Sequence, residues 1–139
     1  MDQEKILSKF EELELYLEEL EQIKPNNFKE YESSIEKKRS CERLLQISIE
    51  SVLDICNILV TKLRIGIPSD EDDLFEKLGN KKVISKKMIK ILKEMKGFRN
   101  ILVHRYGKIE DERVFEILSE KLGDFDKFRE EIADFLKLH

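Results

Sequence analysis

Only two histidines occur in the 139 residues, and one of them, His139, ends the chain. The other, His104, sits in Gly97-Phe98-Arg99-Asn100-Ile101-Leu102-Val103-His104-Arg105-Tyr106. There Arg99, Asn100, His104, Arg105 and Tyr106 gather polar chemistry around the end of an otherwise apolar stretch. Histidine can move a proton near neutral pH. Arginine can grip a phosphate through two parallel N–H bonds and steady the charge that builds up in phosphoryl transfer. Asn100 and His104, at i and i+4, share a face of a helix. Arg99 and His104, five apart, diverge by about 140° on a regular helix. On residue types alone, a histidine near a helix end is more often a dipole partner or a cap than a catalyst, and both roles stay open.

No other constellation competes with this one. There is no Cys/His cluster, HExxH, glycine-rich phosphate loop or Ser-His-Asp set. Soft ligands are too few for zinc. The expectation is a protein without metal or cofactor, although a carboxylate magnesium site stays open because acids are plentiful. Cys41 and Cys56 fall on one predicted helix about 22 Å apart. A disulfide needs Cα atoms within about 7 Å, so both should be free thiols, as in a reducing cytoplasm.

The net charge of −4 argues against a polyanion as partner, but its distribution reverses that impression. Between Lys81 and Lys108 lie ten basic residues and a single acid, Glu94. That stretch carries +9 and the rest of the chain −13. A local field of this strength can hold a polyanion on an acidic molecule. Lys86, Lys90, Lys93, Lys96 and Arg105 are its expected contacts, set against the ordinary alternative of a solvated helix face.

These groups must be positioned by helices. Ile6, Phe10, Leu13, Leu17 and Leu20 recur every three or four residues and predict a helix over roughly 3–23. Pro25-Asn26-Asn27 interrupts it. A second helix should start near Phe28 or Ser33 and run to about Arg64, stopped by Gly66-Ile67-Pro68. Ser69 with Asp72 resembles a capping pair for a short helix ending at Gly79. Ser85 should cap a helix through about Val103, and Asp111 the last segment, which Gly123 should kink without ending. There is no period-2 run and only one Thr, so a sheet is not expected. The expected fold is all-α, an antiparallel bundle of four or five helices in one domain over 1–139.

The second helix is apolar around most of its circumference between Leu44 and Leu63, as a central or interface helix would be. Its exceptions, Arg43, Gln46, Glu50, Asp54 and Asn57, fall within about 60° of one another. This stripe is either a solvent face or a support for a site or a dimer mate, with Glu50 and Asp54 as its acids. The longest run without a charge is seven residues, Ile55 to Thr61, too short to cross a membrane. The opening MDQEKILSKFEE lacks a basic start followed by an apolar block, so no signal peptide is expected and the expected location is the cytoplasm.

Arg-x4-His-x-Tyr, here Arg99 to Tyr106, resembles the signature of the HEPN superfamily in its HepT-like branch. Lys96-Gly97-Phe98, the Glu42-Arg43 to Asp54 run and the Pro68-to-Leu78 helix resemble that branch too, and the likeness covers roughly residues 30–135. The resemblance implies a metal-independent ribonuclease acting as the toxin of a toxin–antitoxin pair, with RNA as substrate and tRNA the leading candidate. It implies a MntA-type nucleotidyltransferase as partner, which silences the toxin by moving AMP onto the motif tyrosine, Tyr106. One chain offers one useful histidine, whereas a two-fold homodimer offers two His104 and two Arg99 in one cleft. The competing readings are a non-catalytic HEPN-like module that binds nucleotide or RNA beside the nucleotidyltransferase, and a plain helical interaction protein. Intact Arg99 and His104 favour the enzyme.

Overall fold

Short polar side chains mark where most of the helices begin. The computed structural model describes residues 3–104 and 109–138, and these form seven α-helices and no strand. The first, α1, spans Gln3–Ile23. Asn27 Oδ1 accepts from the Glu30 amide at 2.9 Å and opens the single-turn α2, Phe28–Glu32. Ser34 Oγ accepts from the Lys37 amide at 3.1 Å and opens the longest, α3, Ile35–Leu63. Asp70 opens α4, Glu71–Asn80, by accepting from the Asp73 amide at 2.8 Å. Ser85 opens α5, Lys86–His104, by accepting from the Met88 amide at 3.0 Å. The chain closes with α6, Asp111–Glu120, and α7, Gly123–Leu138. Each cap satisfies an amide that the first turn would otherwise leave without a partner.

Three local expectations are corrected and one is narrowed. Of the two starts expected for the second helix, the one near Ser33 is met, since Ser34 caps α3, whereas Phe28 opens a separate turn that the Ser33 hydroxyl closes by donating to Lys29 O at 2.8 Å. The α4 cap is Asp70 with Asp73, one residue beyond Ser69 and Asp72, while the Ser69 amide donates to Asp73 Oδ2 at 2.9 Å. The last segment is two helices, because the Lys121 amide still reaches Ile117 O and α7 then restarts at Gly123. Asp111 is the first residue of α6; Glu110 holds the cap position and makes no side-chain bond there.

The four long helices, α1, α3, α5 and α7, carry the bundle around α3. Leu45, Ile49, Val52, Ile55, Cys56 and Leu59 of α3 are buried. Ile6, Leu13 and Leu20 of α1, Met88, Leu92, Phe98 and Leu102 of α5, and Phe125, Phe128 and Ile132 of α7 complete the same core. Each such side chain contributes about 1.5–3 kcal/mol by leaving water. By length and composition alone α3 could cross a membrane, but its apolar residues are spent on this core. Both cysteines are buried free thiols; burial pushes Cys41 up to about 11 and Cys56 higher still. Arg64 closes α3 in the left-handed conformation at φ 54°, and Gly66 at φ 102° takes the next turn at no steric cost.

Candidate active site

The cations of α5 point in two directions, and α4 takes one of them. The two helices are joined by residues 81–85, with Val83 and Ile84 buried beneath the turn. Gly79 lets them close up: a Cβ there would run into the Ile89 side chain. Across this contact runs a ladder of ion pairs. Lys93 Nζ meets Glu76 Oε1 at 2.9 Å, Lys96 Nζ meets Asp72 Oδ1 at 2.7 Å, and Arg99 Nη2 meets Glu71 Oε1 at 2.5 Å. Side-chain exposure of the cations falls along it, 40%, 24% and 17%, so the rung at Arg99 is the least screened by water. The hydrogen bond to Glu76 holds the Lys93 ammonium above its ordinary pKa.

Arg99 has a second anchor, since its Nε donates to Asn100 Oδ1 at 2.9 Å. Asn100 is half-buried, and His104 is exposed one turn further on, in the last turn of α5. The helix runs unbroken to His104, so unwinding before that residue does not bring Arg99 and His104 together. Arg105 and Tyr106 lie outside the described residues.

The other direction faces outward. Lys86 and Lys90 are exposed and make no ion pair among the described residues. They lie within about 80° of azimuth of Lys93, Gly97, Ile101 and His104, and what sets Lys93 apart is its pairing with Glu76. A Cβ on Gly97 would meet nothing within 4 Å, and Ile101 is 46% exposed beside it. The expected RNA contacts therefore divide: Lys86 and Lys90 are available, Lys93 and Lys96 are tied to α4, and Arg105 lies outside the described residues.

Titratable groups also collect where the chain leaves α5 and re-enters α6. Lys38 Nζ meets Asp111 Oδ2 at 2.9 Å, joining the start of α3 to the start of α6. Glu42 is buried and accepts from Arg39 at 3.0 Å. Tyr31, its ring tilted 42° to that of Phe115 with centres 6.4 Å apart, is fully buried; burial first, and the Glu42 charge second, push its hydroxyl far above the ordinary range. The polar stripe of α3 is turned elsewhere. Gln46 donates to Glu50 at 3.1 Å, Asn57 donates to Leu53 O at 3.1 Å, and Asp54 holds Lys9 of α1 at 3.2 Å. Glu50 and Asp54 make no hydrogen bond or ion pair with α5 among the described residues. They support the joint with α1 and the surface of α3.

A cleft of about 40 Å³ where α3, α5, α6 and α7 meet is lined by Ile49, Met95, Phe98, Arg113, Ile117 and Phe125, with the Arg113 guanidinium 5.9 Å from the Phe98 ring centre. It has room for about one water, far too little for a nucleotide. Among the described residues no three His, Cys, Asp or Glu side chains cluster as metal ligands. Reading the sequence missed Glu71, Asp72 and Glu76. The signal for Glu71 and Asp72 was the acidic first turn of α4 facing two lysines and an arginine spaced by three, with Glu76 one turn on, hidden in a chain where 40% of residues are charged.

The all-helical bundle defines a class before it defines a member: it is the HEPN-like fold. The family model described as Ribonuclease HepT-like matches residues 13–132, and the chain belongs to that family of ribonucleases. It is 29% identical over 121 residues to a tRNA nuclease HepT from Aphanizomenon flos-aquae, covering 87% of this chain and 82% of that one. It is 33% identical over 84 residues to an mRNA nuclease HepT from Shewanella oneidensis, covering 60% and 63%. Among solved structures, a tri-AMPylated HEPN toxin from Shewanella oneidensis in complex with its MNT antitoxin superposes with a TM-score of 0.86 at 26% identity, over 93% of this chain and 96% of that one.

Proposed function

We propose that this protein, as one helical domain, is the ribonuclease toxin of a toxin–antitoxin pair acting in the cytoplasm, and that it cuts RNA without a divalent metal. The observation that carries the reading is the anchored Arg99 with Asn100 and His104 on one helix end, in a fold shared with an AMPylated HEPN toxin. RNA supplies its own nucleophile, the 2′-hydroxyl, which attacks the adjacent phosphorus. The attack needs a base for that hydroxyl, an acid for the leaving 5′-oxygen, and cations on the phosphorane. His104 handles protons, Arg99 holds the phosphate, and Asn100 orients the substrate.

A homodimer supplies what one chain lacks. Arg99 and His104 point apart on a single helix, and two-fold pairing of the α5 ends places two of each in one cleft, one histidine as base and the other as acid. The exposed Ile101 and the open face at Gly97 give that pairing apolar surface and room. tRNA is the first substrate to try, because the Aphanizomenon relative is named for it; the Shewanella relative is named for mRNA.

The partner is a MntA-type nucleotidyltransferase that moves AMP onto the Tyr106 hydroxyl. A bulky anion two residues from His104 fills the cleft and repels substrate phosphates. Intact mass after co-expression with such an enzyme tests this. Mass added in steps of one AMP and lost in Tyr106→Phe is expected; the same adducts in Tyr106→Phe would remove Tyr106 as the acceptor.

A further inference from the structure

Arg99 is held from two edges, by Glu71 on Nη2 and by Asn100 on Nε. A guanidinium has five N–H donors and no acceptor. Two consequences follow. First, the Asn100 amide orientation is determined, because only its oxygen can face Arg99; its NH2 group is turned away. Second, among the described residues no hydrogen bond engages Nη1, and its donors can meet a phosphate in a plane that Glu71 and Asn100 set together.

We propose that Glu71 is a positioning residue of the ribonuclease site: it fixes the Arg99 guanidinium, and through Arg99 the Asn100 amide, in the orientation that meets the phosphate. This rests on the reading that Arg99, Asn100 and His104 cleave RNA. Glu71 is suited to the role by its place in the fold. It is the first residue of α4, held by the Asp70 cap and pressed against α5 by the Gly79 contact and by the two neighbouring rungs at Lys96 and Lys93. An arginine on an open helix face would sample many rotamers; this one is 17% exposed and fixed at both ends. The carboxylate has an opposing effect as well. Its negative charge lies beside the phosphate grip and weakens ground-state RNA binding. Glu71 thus lowers affinity while raising turnover, the pattern expected where orientation matters more than attraction.

The test is steady-state cleavage of a fluorescent RNA oligonucleotide that the wild type cuts, with the thermal midpoint of every variant measured alongside. Glu71→Gln keeps an acceptor for Nη2 and removes the charge. It should keep kcat within about threefold and lower KM by about three- to tenfold. Glu71→Ala frees Arg99 and should lower kcat by about ten- to a hundredfold without raising KM. Asp72→Asn removes the charge of the neighbouring rung but keeps its acceptor for Lys96, and should leave kcat within about twofold. Wild-type kcat in Glu71→Ala, or equal losses in Glu71→Ala and Asp72→Asn, would overturn the proposal. Should Glu71→Ala not fold, an unchanged KM in Glu71→Gln overturns it instead. Arg99→Ala is the separate control: if it remains active, the catalytic reading itself fails, whatever Glu71 does.

Discussion

Arg99 and His104 stand on one uninterrupted helix and leave it about 140° apart. Arg99 is directed at α4, where Glu71 holds it, while His104 is exposed in the last turn. Within a chain these two side chains do not share a face, and the proposed mechanism therefore calls for a second copy.

Subunit mixing checks that requirement. Equal amounts of wild-type and His104→Ala chains, unfolded and refolded together, give dimers of which about a quarter are wild type on both sides. If the cleft uses both histidines, activity should fall to about that quarter. Retention of half the activity would mean that each chain acts alone.

RNA affinity should come from the outward cations of α5. Lys86→Glu with Lys90→Glu should weaken binding about tenfold or more and flatten its salt dependence by about 1.5 in log–log slope, with the thermal midpoint unchanged. Lys93→Glu and Lys96→Glu should behave differently. Each faces an α4 carboxylate, so reversal sets like charges against each other and should lower the thermal midpoint. Equal midpoints in all three variants would contradict the division of the α5 cations into paired and unpaired sets.

Stability of the α4 strap should depend on pH in a predictable window. The Ser69 amide bond holds Asp73 below its ordinary 3.8, so its contribution is present above that value and is lost as pH falls through the lowered one. Glu76 holds Lys93 above its ordinary 10.5, so that contribution is present below 10.5 and is lost as pH rises through the raised value. Amide hydrogen exchange of α4 should be slowest relative to the rest of the chain between about pH 4 and 10.5. Protection of α4 that rose on acidification to pH 3 would contradict the assignment.

Much of the fold was legible because apolar periodicity and capping residues act locally. Ile6 to Leu20 marked α1, Ser85 capped α5, and the all-round apolar stretch from Leu44 to Leu63 announced the helix at the centre of the core. Boundaries failed where short polar residues compete for the same amides: Ser33 against Ser34, and Ser69 against Asp70, are choices of one hydrogen bond. Gly123 begins a helix where a kink was expected, since glycine punctuates a chain without saying how. The candidate site was legible in residue type, through Arg99, Asn100 and His104, but not in partnership. Nothing local in the sequence says that Lys93 and Lys96 meet Glu76 and Asp72, because those pairs form only when α4 folds back on α5. Arg105 and Tyr106, outside the described residues, stand on the sequence alone.

The most direct test is cleavage of total RNA in excess EDTA by wild type, His104→Ala and Arg99→Ala. The wild type should cut and leave a 2′,3′-cyclic phosphate or its hydrolysis product. Each substitution should cost about 10²–10⁴ in rate, and Arg99→Lys should be poor as well, because a point charge cannot replace a planar two-pronged grip. Cleavage that vanishes with EDTA, or that survives both alanine substitutions, would contradict the mechanism.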